Sequence, residues 1–231
     1  MSTIALPPVR RSQRPASKAV EYPTSDGKPM AETEKHRRDL TDSIEMLDQH
    51  FADRADVCVS GNMLMFYEEG NKRKHVSPDV FVTFGIPRRI RENYLIWKEG
   101  KGPDWVLELT SKSTKKEDQE TKFQLYQDVL KVREYMLFDP DGDYLSPRLQ
   151  GYRLRGGKYL PIETAGERLP SEVLKLEIAA DGWKIRYYDP ASGQWLLTGR
   201  ERAEAERRRA DAIHAENERL RQELEAVRRA R

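Results

Sequence analysis

The alternation of apolar and polar residues predicts two β-strands near the middle of the chain. The first opens at Asp79, and the second runs through WVLELT, residues 105–110. The second strand is apolar except for Glu108, which alternation places on one face with Val106 and Thr110. A carboxylate inside an apolar strand is costly unless it is paired or bound to a cation, so Glu108 needs a structural or functional explanation.

A helical pattern follows the second strand and carries a second anomaly. Its apolar residues form one arc at about 100° per residue: Phe123, Leu125, Tyr126, Val129 and Leu130. Asp118 and Lys122 fall within this arc, where an ordinary buried face would carry Leu or Ala. Both lie in the half of the helix nearest the end of the Glu108 strand. We therefore expect Asp79, Glu108, Asp118 and Lys122 to meet at one end of a sheet.

Three carboxylates and a lysine at one place suit metal-assisted hydrolysis of a phosphodiester. Mg²⁺ prefers hard oxygen ligands and keeps waters, so two or three carboxylates and a carbonyl suffice to hold it. A nearby lysine can orient or activate the attacking water and offset the charge that builds on the phosphate. The alternative is a partly buried ion pair between Lys122 and a carboxylate in a fold without catalysis. The spacing alone leaves both interpretations open.

The motifs of this region resemble those of the putative restriction endonuclease family, which belongs to the PD-(D/E)XK nuclease superfamily. The matching motifs are Pro78-Asp79, ELTSKST at Glu108–Thr114, Asp118, the K-x-x-x-Y of Lys122 and Tyr126, and EYMLFDP at Glu134–Pro140. The resemblance implies an α/β (α+β) fold with a mixed central sheet flanked by helices. It also implies that Asp79 and Glu108 are the first and second metal-binding acids.

The lysine departs from the wider superfamily pattern. The superfamily places it two residues after the second acid, where this chain has Thr110. The family resemblance moves the lysine to the following helix, which implies Lys122. Family members also read S-P-S-T where this chain has SKST, residues 111–114, so Lys112 is a second candidate.

The composition of the chain limits which partners it can bind and indicates its cellular compartment. The chain has 41 basic and 39 acidic residues and a net charge of +2, so any DNA-binding surface must be local. The single cysteine, Cys58, cannot form an internal disulfide, which favours a cytoplasmic location. The four histidines lack zinc-ligand spacing, and no run of about 18 apolar residues predicts a membrane span.

The pattern outside this region predicts three parts of the chain: a disordered N-terminal arm (1–30), an endonuclease-like domain (31–198) and a C-terminal helix (199–231). Within the domain we expect a helix over 32–51, a hairpin of 57–60 with 63–68 around Gly61-Asn62, and further C-terminal hairpins. One seam of the C-terminal helix follows a heptad spacing and is apolar except for Asn217 and the interrupting Glu206: Ala203, Glu206, Ala210, Ile213, Asn217, Leu220, Leu224 and Val227. Asn217 at an a position favours a parallel two-stranded coil and hence a homodimer. The alternative is a single exposed amphipathic helix.

Together these features predict a Mg²⁺-dependent endonuclease acting on DNA, with Mn²⁺ as the alternative ion. Asp79, Glu108 and the Leu109 carbonyl would hold the metal, and Lys122 would place the water or the phosphate. Asp118 would hold a second metal or orient Lys122. The competing hypothesis is a non-catalytic protein that keeps the fold for nucleic-acid binding or self-association.

Overall fold

The computed structural model describes residues 20–25, 33–112 and 114–230, so most of the predicted N-terminal arm lies outside the described residues. The strands are β1 (Val57–Ser60), β2 (Met65–Phe66), β3 (His75–Val76), β4 (Val80–Phe84), β5 (Tyr94–Leu95), β6 (Trp105–Leu109), β7 (Glu134–Phe138), β8 (Leu149–Arg155), β9 (Lys158–Pro161), β10 (Leu169–Pro170), β11 (Glu177–Asp181), β12 (Lys184–Asp189) and β13 (Gln194–Trp195). The α-helices are α1 (Glu34–His50), α2 (Ile96–Glu99) and α3 (Gly199–Arg229). Two π-helical segments, π1 (Glu117–Lys122) and π2 (Leu125–Val129), lie between β6 and β7.

A six-stranded mixed sheet with the order β1-β4-β6-β7-β8-β9 occupies the centre of the fold. Only β6 and β7 pair in parallel within this sheet, and every residue of these two strands is buried. One face, which includes Trp105 and Leu107, packs against α1 and the C-terminal strands. The other face, which includes Val106, packs against the π-helical region. The predicted mixed α/β architecture and the alternation along β6 are confirmed.

The C-terminal strands build a second, antiparallel sheet with the order β10-β11-β12-β13. Its apolar side chains join the core formed by the first face of the central sheet, and the rings of Trp105 and Tyr187 have centroids 6.4 Å apart. The expected C-terminal hairpins are present, because β8 pairs with β9 and β11 pairs with β12. Within the described ranges, no helix is both long and apolar enough to cross a membrane.

The hairpin predicted around Gly61-Asn62 is wrong. β1 pairs with β4, whereas β2 pairs with β3 and β5. The Asn62 N–H donates to the Pro78 carbonyl at 2.8 Å, so the chain turns toward the start of β4 instead of folding back on itself. A Cβ added to Gly61 would lie 1.9 Å from the Asp79 carbonyl oxygen. Gly61 is therefore needed for close approach to the backbone of Asp79.

We expect Gly61→Ala to lower the free energy of unfolding by about 1–3 kcal/mol or more, because the clash is with backbone that cannot rotate away. Gly102→Ala is the matched control, since its added Cβ would meet its nearest atom at an ordinary 3.5 Å. Urea unfolding of both variants measures the difference. Equal losses of stability at the two positions would show that the backbone of Asp79 can shift to make room for the added methyl group.

Asp39 joins α1 to β12 inside the core. It is 1% exposed, and its Oδ1 accepts the Ile185 N–H at 2.9 Å. Burial is the main cause that raises the pKa of Asp39 from 3.8 to about 7. The folded state therefore keeps a proton on Asp39 between about pH 4 and pH 7, where the unfolded state has lost it. Stability consequently falls as the pH rises through this window.

We expect the free energy of unfolding of the wild type to fall by up to about 4 kcal/mol between pH 4 and pH 8, because each pKa unit corresponds to about 1.4 kcal/mol. In Asp39→Asn, which has no titrating group at this position, this fall should be absent. Urea unfolding of wild type and variant across this pH range measures the effect. If the two stability profiles ran parallel, Asp39 would not be the titrating group.

Candidate active site

The pairing of β4 with β6 brings Asp79 and Glu108 together. The strands are antiparallel, with Val80 opposite Leu107, so the start of β4 meets the end of β6. Asp79 Oδ2 accepts the Leu109 N–H at 2.8 Å, and Glu108 Oε2 lies 3.4 Å from the Asp79 N–H. Each carboxylate is thus held by backbone of the other strand, which fixes both at one end of the sheet.

The π-helical region supplies Lys122 and Asp118 to the same place. Lys122 Nζ lies 2.8 Å from Glu108 Oε2 and 3.1 Å from Asp118 Oδ1. Glu108 is fully buried, and the Lys122 side chain is only 14% exposed. The structure therefore brings all four of the predicted residues together, and it also contains the buried ion pair that sequence analysis offered as the alternative.

The helical periodicity was only partly right in this region. Val129 was predicted on the buried arc, but it is 58% exposed. Residues of π1 and π2 make i→i+5 hydrogen bonds, so each turn takes up more residues than in an α-helix and the later side chains rotate away. Lys122 and Asp118 keep their inward position because they lie early in the segment.

Two tyrosines support the charged network from the apolar side. The Tyr126 hydroxyl donates to Glu108 Oε1 at 2.7 Å, and the Tyr135 hydroxyl donates to the Asp118 carbonyl at 2.9 Å. Both oxygens of Glu108 are therefore engaged, one by Tyr126 and one by Lys122. The K-x-x-x-Y motif encodes this arrangement, since its two ends hold the two oxygens of one carboxylate.

Neighbouring charges decide the protonation of Lys122 and Asp79, whereas burial raises the pKa of Glu108 well above its usual value despite the adjacent Lys122 ammonium. Burial alone would lower the pKa of Lys122, but the carboxylates of Glu108, Asp118 and Asp79 outweigh burial and raise it. Burial alone would raise the pKa of Asp79, but the His36 imidazole and the Lys122 ammonium outweigh burial and lower it. Lys122 is therefore an ammonium and Asp79 is a carboxylate at neutral pH.

A pocket of about 270 Å³ opens over this network. It is lined by Thr33, His36, Asp79, Leu109, Thr110, Ser111, Thr114, Asp118, Lys122, Pro140 and Asp141. Glu108 lies beneath the pocket, fully buried. Thr110, at the superfamily position of the lysine, lines the pocket, whereas the second lysine candidate, Lys112, is exposed and is not among the lining residues.

His36 lies at the site and was missed by sequence analysis. Its Nε2 is 3.7 Å from Asp79 Oδ1, and its side chain is 17% exposed. The N-cap residue of α1, Thr33, accepts the His36 N–H, so the first turn of the helix fixes the histidine. A signal was present, because His36 lies one turn before Leu40 on the apolar stripe of α1. Two acids further along α1, Glu45 and Asp48, do not line the pocket.

The donor atoms of the site suit a hard cation. Asp79, Glu108 and the Leu109 carbonyl are oxygen donors at one edge, and Mg²⁺ needs few protein oxygens because it keeps several waters. In the part of the chain that the structure describes, no group of three or more His, Cys, Asp or Glu side chains could hold a metal ion. A metal here would therefore depend on Asp79, backbone oxygens and water, and it would share Oε2 of the buried Glu108 with Lys122; this is a donor set that Mg²⁺ accepts.

Comparison with known proteins gives a matching family and similar solved structures. The family model described as Putative restriction endonuclease (Uma2) matches residues 6–183. The crystal structure of a putative nuclease belonging to DUF820 from Anabaena variabilis ATCC 29413 is 19% identical to this chain. That alignment covers 64% of this chain and 76% of that chain, with a TM-score of 0.45. No curated protein matches the chain.

Proposed function

Because the chain belongs to the putative restriction endonuclease family, as its motifs predicted, we propose that it is a metal-dependent endonuclease that hydrolyses phosphodiester bonds of DNA. The observation that carries the proposal is the contact of Lys122 Nζ with Glu108 Oε2 at 2.8 Å, at the base of a pocket that Asp79 also lines. Family membership supports nuclease activity. The roles of individual residues and of the metal are our proposal.

In this proposal Asp79, Glu108 and the Leu109 carbonyl hold Mg²⁺, with Mn²⁺ as the alternative ion. When bound, the ion would polarise the phosphate and lower the pKa of a coordinated water. Lys122 donates hydrogen bonds to the attacking water or to a phosphate oxygen and offsets charge that develops there. Asp118, at 3.1 Å from Lys122 Nζ, orients the ammonium between the pocket and Glu108.

The same geometry also fits a protein without catalysis, in which Lys122 only neutralises buried carboxylates. Such a protein would keep the fold for nucleic-acid binding or self-association. The two hypotheses differ in one respect: only the enzyme needs a metal ion at the carboxylates to act on DNA.

Metal-dependent cleavage tests the proposal directly. The purified protein is incubated with supercoiled plasmid, linear duplex or single-stranded DNA in EDTA, Mg²⁺ or Mn²⁺. We expect nicked or cut products with Mg²⁺ or Mn²⁺, none in EDTA, and none from an Asp79→Asn variant purified in parallel. Equal cleavage by wild type and Asp79→Asn would mean a contaminating nuclease. No cleavage of any substrate, together with no Mg²⁺ binding by calorimetry, would favour the non-catalytic hypothesis.

His36 acts in this proposal as a positioning residue for Asp79. We expect His36→Ala to lower cleavage by about 10–100-fold, the usual effect of removing a group that orients a metal ligand. His50→Ala is the control, because His50 lies at the other end of α1 and does not line the pocket. Mg²⁺ affinity measured by calorimetry should fall with activity. Unchanged affinity and activity in His36→Ala would remove His36 from the site.

Homodimerisation through the C-terminal helix is also part of the proposal. Cutting both strands of a duplex needs two sites or two binding events, and a dimer places two sites on one particle. Because α3 carries none of the proposed site residues, its loss should leave nicking intact.

A further inference from the structure

The helix α3 carries an apolar stripe that no other part of the described structure covers. None of its 31 residues is buried. Its large apolar side chains remain about half exposed: Ile213 at 53%, Leu220 at 50%, Leu224 at 53% and Val227 at 56%. The first turn is held by Thr198, whose side chain accepts the Glu201 N–H, and by an ion pair of Glu201 with Arg186 at 2.7 Å. The apolar stripe lies beyond this anchored turn.

The spacing of the stripe assigns a heptad register. Asn217 and Leu224 are seven residues apart and occupy a positions, whereas Ile213, Leu220 and Val227 occupy d positions. The stripe thus continues through the second half of α3. A polar Asn at one a position among apolar layers fixes register, because it is satisfied only by a matching Asn across the interface.

Charges beside the stripe decide the orientation of a second copy. The g positions carry Glu216 and Glu223, and the e positions carry Arg221 and Arg228. In a parallel pair each g residue faces the e residue five positions further along the other chain. Glu216 then faces Arg221 of the partner subunit, and Glu223 faces Arg228 of the partner subunit. In an antiparallel pair g faces g and e faces e, so glutamates would meet glutamates and arginines would meet arginines.

The first half of α3 lacks these features. Its a and d positions hold Ala203, Glu206 and Ala210, which give no large apolar layer. In a parallel pair, Arg202 at g would face Arg207 at e, so like charges would meet. Pairing is therefore confined to the second half of the helix, and the two chains diverge toward their folded bodies.

We propose that α3 pairs with α3 of a second copy as a parallel, in-register two-stranded coiled coil over residues 213–228. The proposal adds the register, the extent and the charge pairing that selects the parallel orientation to the dimer proposed above, and it does not depend on nuclease activity. A parallel pair places both bodies at the same end of the coil. An antiparallel pair would place them at opposite ends of helices about 46 Å long, given about 1.5 Å per residue.

Disulfide trapping in the full-length chain tests the orientation. Cys58 is the only cysteine and is 5% exposed, so Cys58→Ser gives a background without thiols. On it, Leu224→Cys should cross-link to itself under mild oxidation, whereas Gln222→Cys, on the outer f position, should not. In an antiparallel pair each d position faces an a position, so Ile213 would face Leu224 of the partner subunit, and a mixture of an Ile213→Cys chain with a Leu224→Cys chain should give no heterodimer if the pair is parallel. Cross-linking of that mixture without self-cross-linking of Leu224→Cys would establish an antiparallel pair and overturn the proposal.

Charge-reversal variants test whether the partner is a second copy of this chain. Their association is measured by sedimentation equilibrium over a concentration series. Glu216→Arg with Glu223→Arg, and separately Arg221→Glu with Arg228→Glu, should each weaken the dimer by about tenfold or more, since attraction becomes repulsion. An equimolar mixture of the two variants should associate at least as tightly as wild type. Circular dichroism confirms that each variant stays folded. Wild type that remains monomeric throughout, or a dimer unchanged by either reversal, would overturn the proposal, and neither result bears on cleavage.

Discussion

Replacing Glu108 with glutamine should lower the rate of Mg²⁺-dependent DNA cleavage by at least about 10³-fold, because the site loses one of two metal-binding charges, worth several kcal/mol of transition-state stabilisation. The fold should survive. A glutamine has the same shape, and it can still accept the Tyr126 hydrogen bond that Glu108 Oε1 now accepts at 2.7 Å. Initial rates of plasmid nicking, with Mg²⁺ affinity from calorimetry, measure the loss.

The chain offers a closely matched control in Glu134→Gln. Glu134 is also a fully buried glutamate, lies on the neighbouring strand β7 and pairs with a cation, Arg153, at 2.8 Å. It lies at the opposite end of the sheet, because Glu134 is registered with Trp105 at the start of β6. We expect this variant to bind Mg²⁺ and to cleave normally when folded. Equal losses of cleavage in both variants would trace the effect to general destabilisation instead of to the site.

The central part of the fold was predictable because its signals are local. The alternation along residues 105–110 gave the two faces of β6, and both faces are confirmed as parts of separate cores. The unusual positions of Glu108 and Lys122 could be recognised for the same reason, because a charged residue within an apolar pattern stands out in a single sequence. Their contact at 2.8 Å agrees with the meeting at one end of a sheet that strand alternation and helical periodicity predicted.

The errors arose where long-range pairing or unusual local geometry decides the structure. Gly61-Asn62 is a strong hairpin signal, but the Asn62 N–H finds its acceptor in Pro78 on another segment. Val129 is exposed because π-helical hydrogen bonding changes the periodicity that the prediction assumed. His36 was missed because its partner, Asp79, is more than forty residues away in the chain. The apolar stripe of α1 indicates that His36 lies on the inward face, but no pattern within the helix reveals that it will face Asp79.

The buried environment of Lys122 changes what its removal should do. A lysine placed only for catalysis could be replaced at no cost in stability, and Met would keep the packing of its stem. In the structure, however, the ammonium lies against Glu108, which is fully buried, and against Asp118, which is 2% exposed. Its loss leaves these carboxylates without their cation. Removing one partner of a buried ion pair typically costs about 3–5 kcal/mol.

We therefore expect Lys122→Met to abolish cleavage and, in EDTA, to lower the free energy of unfolding by about 3–5 kcal/mol. Urea unfolding with and without Mg²⁺ measures the second effect. Mg²⁺ should stabilise the variant more than wild type, since the ion replaces the missing positive charge beside Glu108. The double variant with Glu108→Gln should recover much of the lost stability, because one of the uncompensated carboxylates is then absent.

Lys112→Met is the control, because Lys112 is exposed and lies outside the pocket lining. We expect it to leave both cleavage and stability unchanged. If Lys112→Met lost cleavage while Lys122→Met kept it, the functional lysine would be Lys112. If Lys122→Met lost stability but cleaved DNA at the wild-type rate, Lys122 would be a structural cation alone. The catalytic positive charge would then have to come from another residue at the pocket.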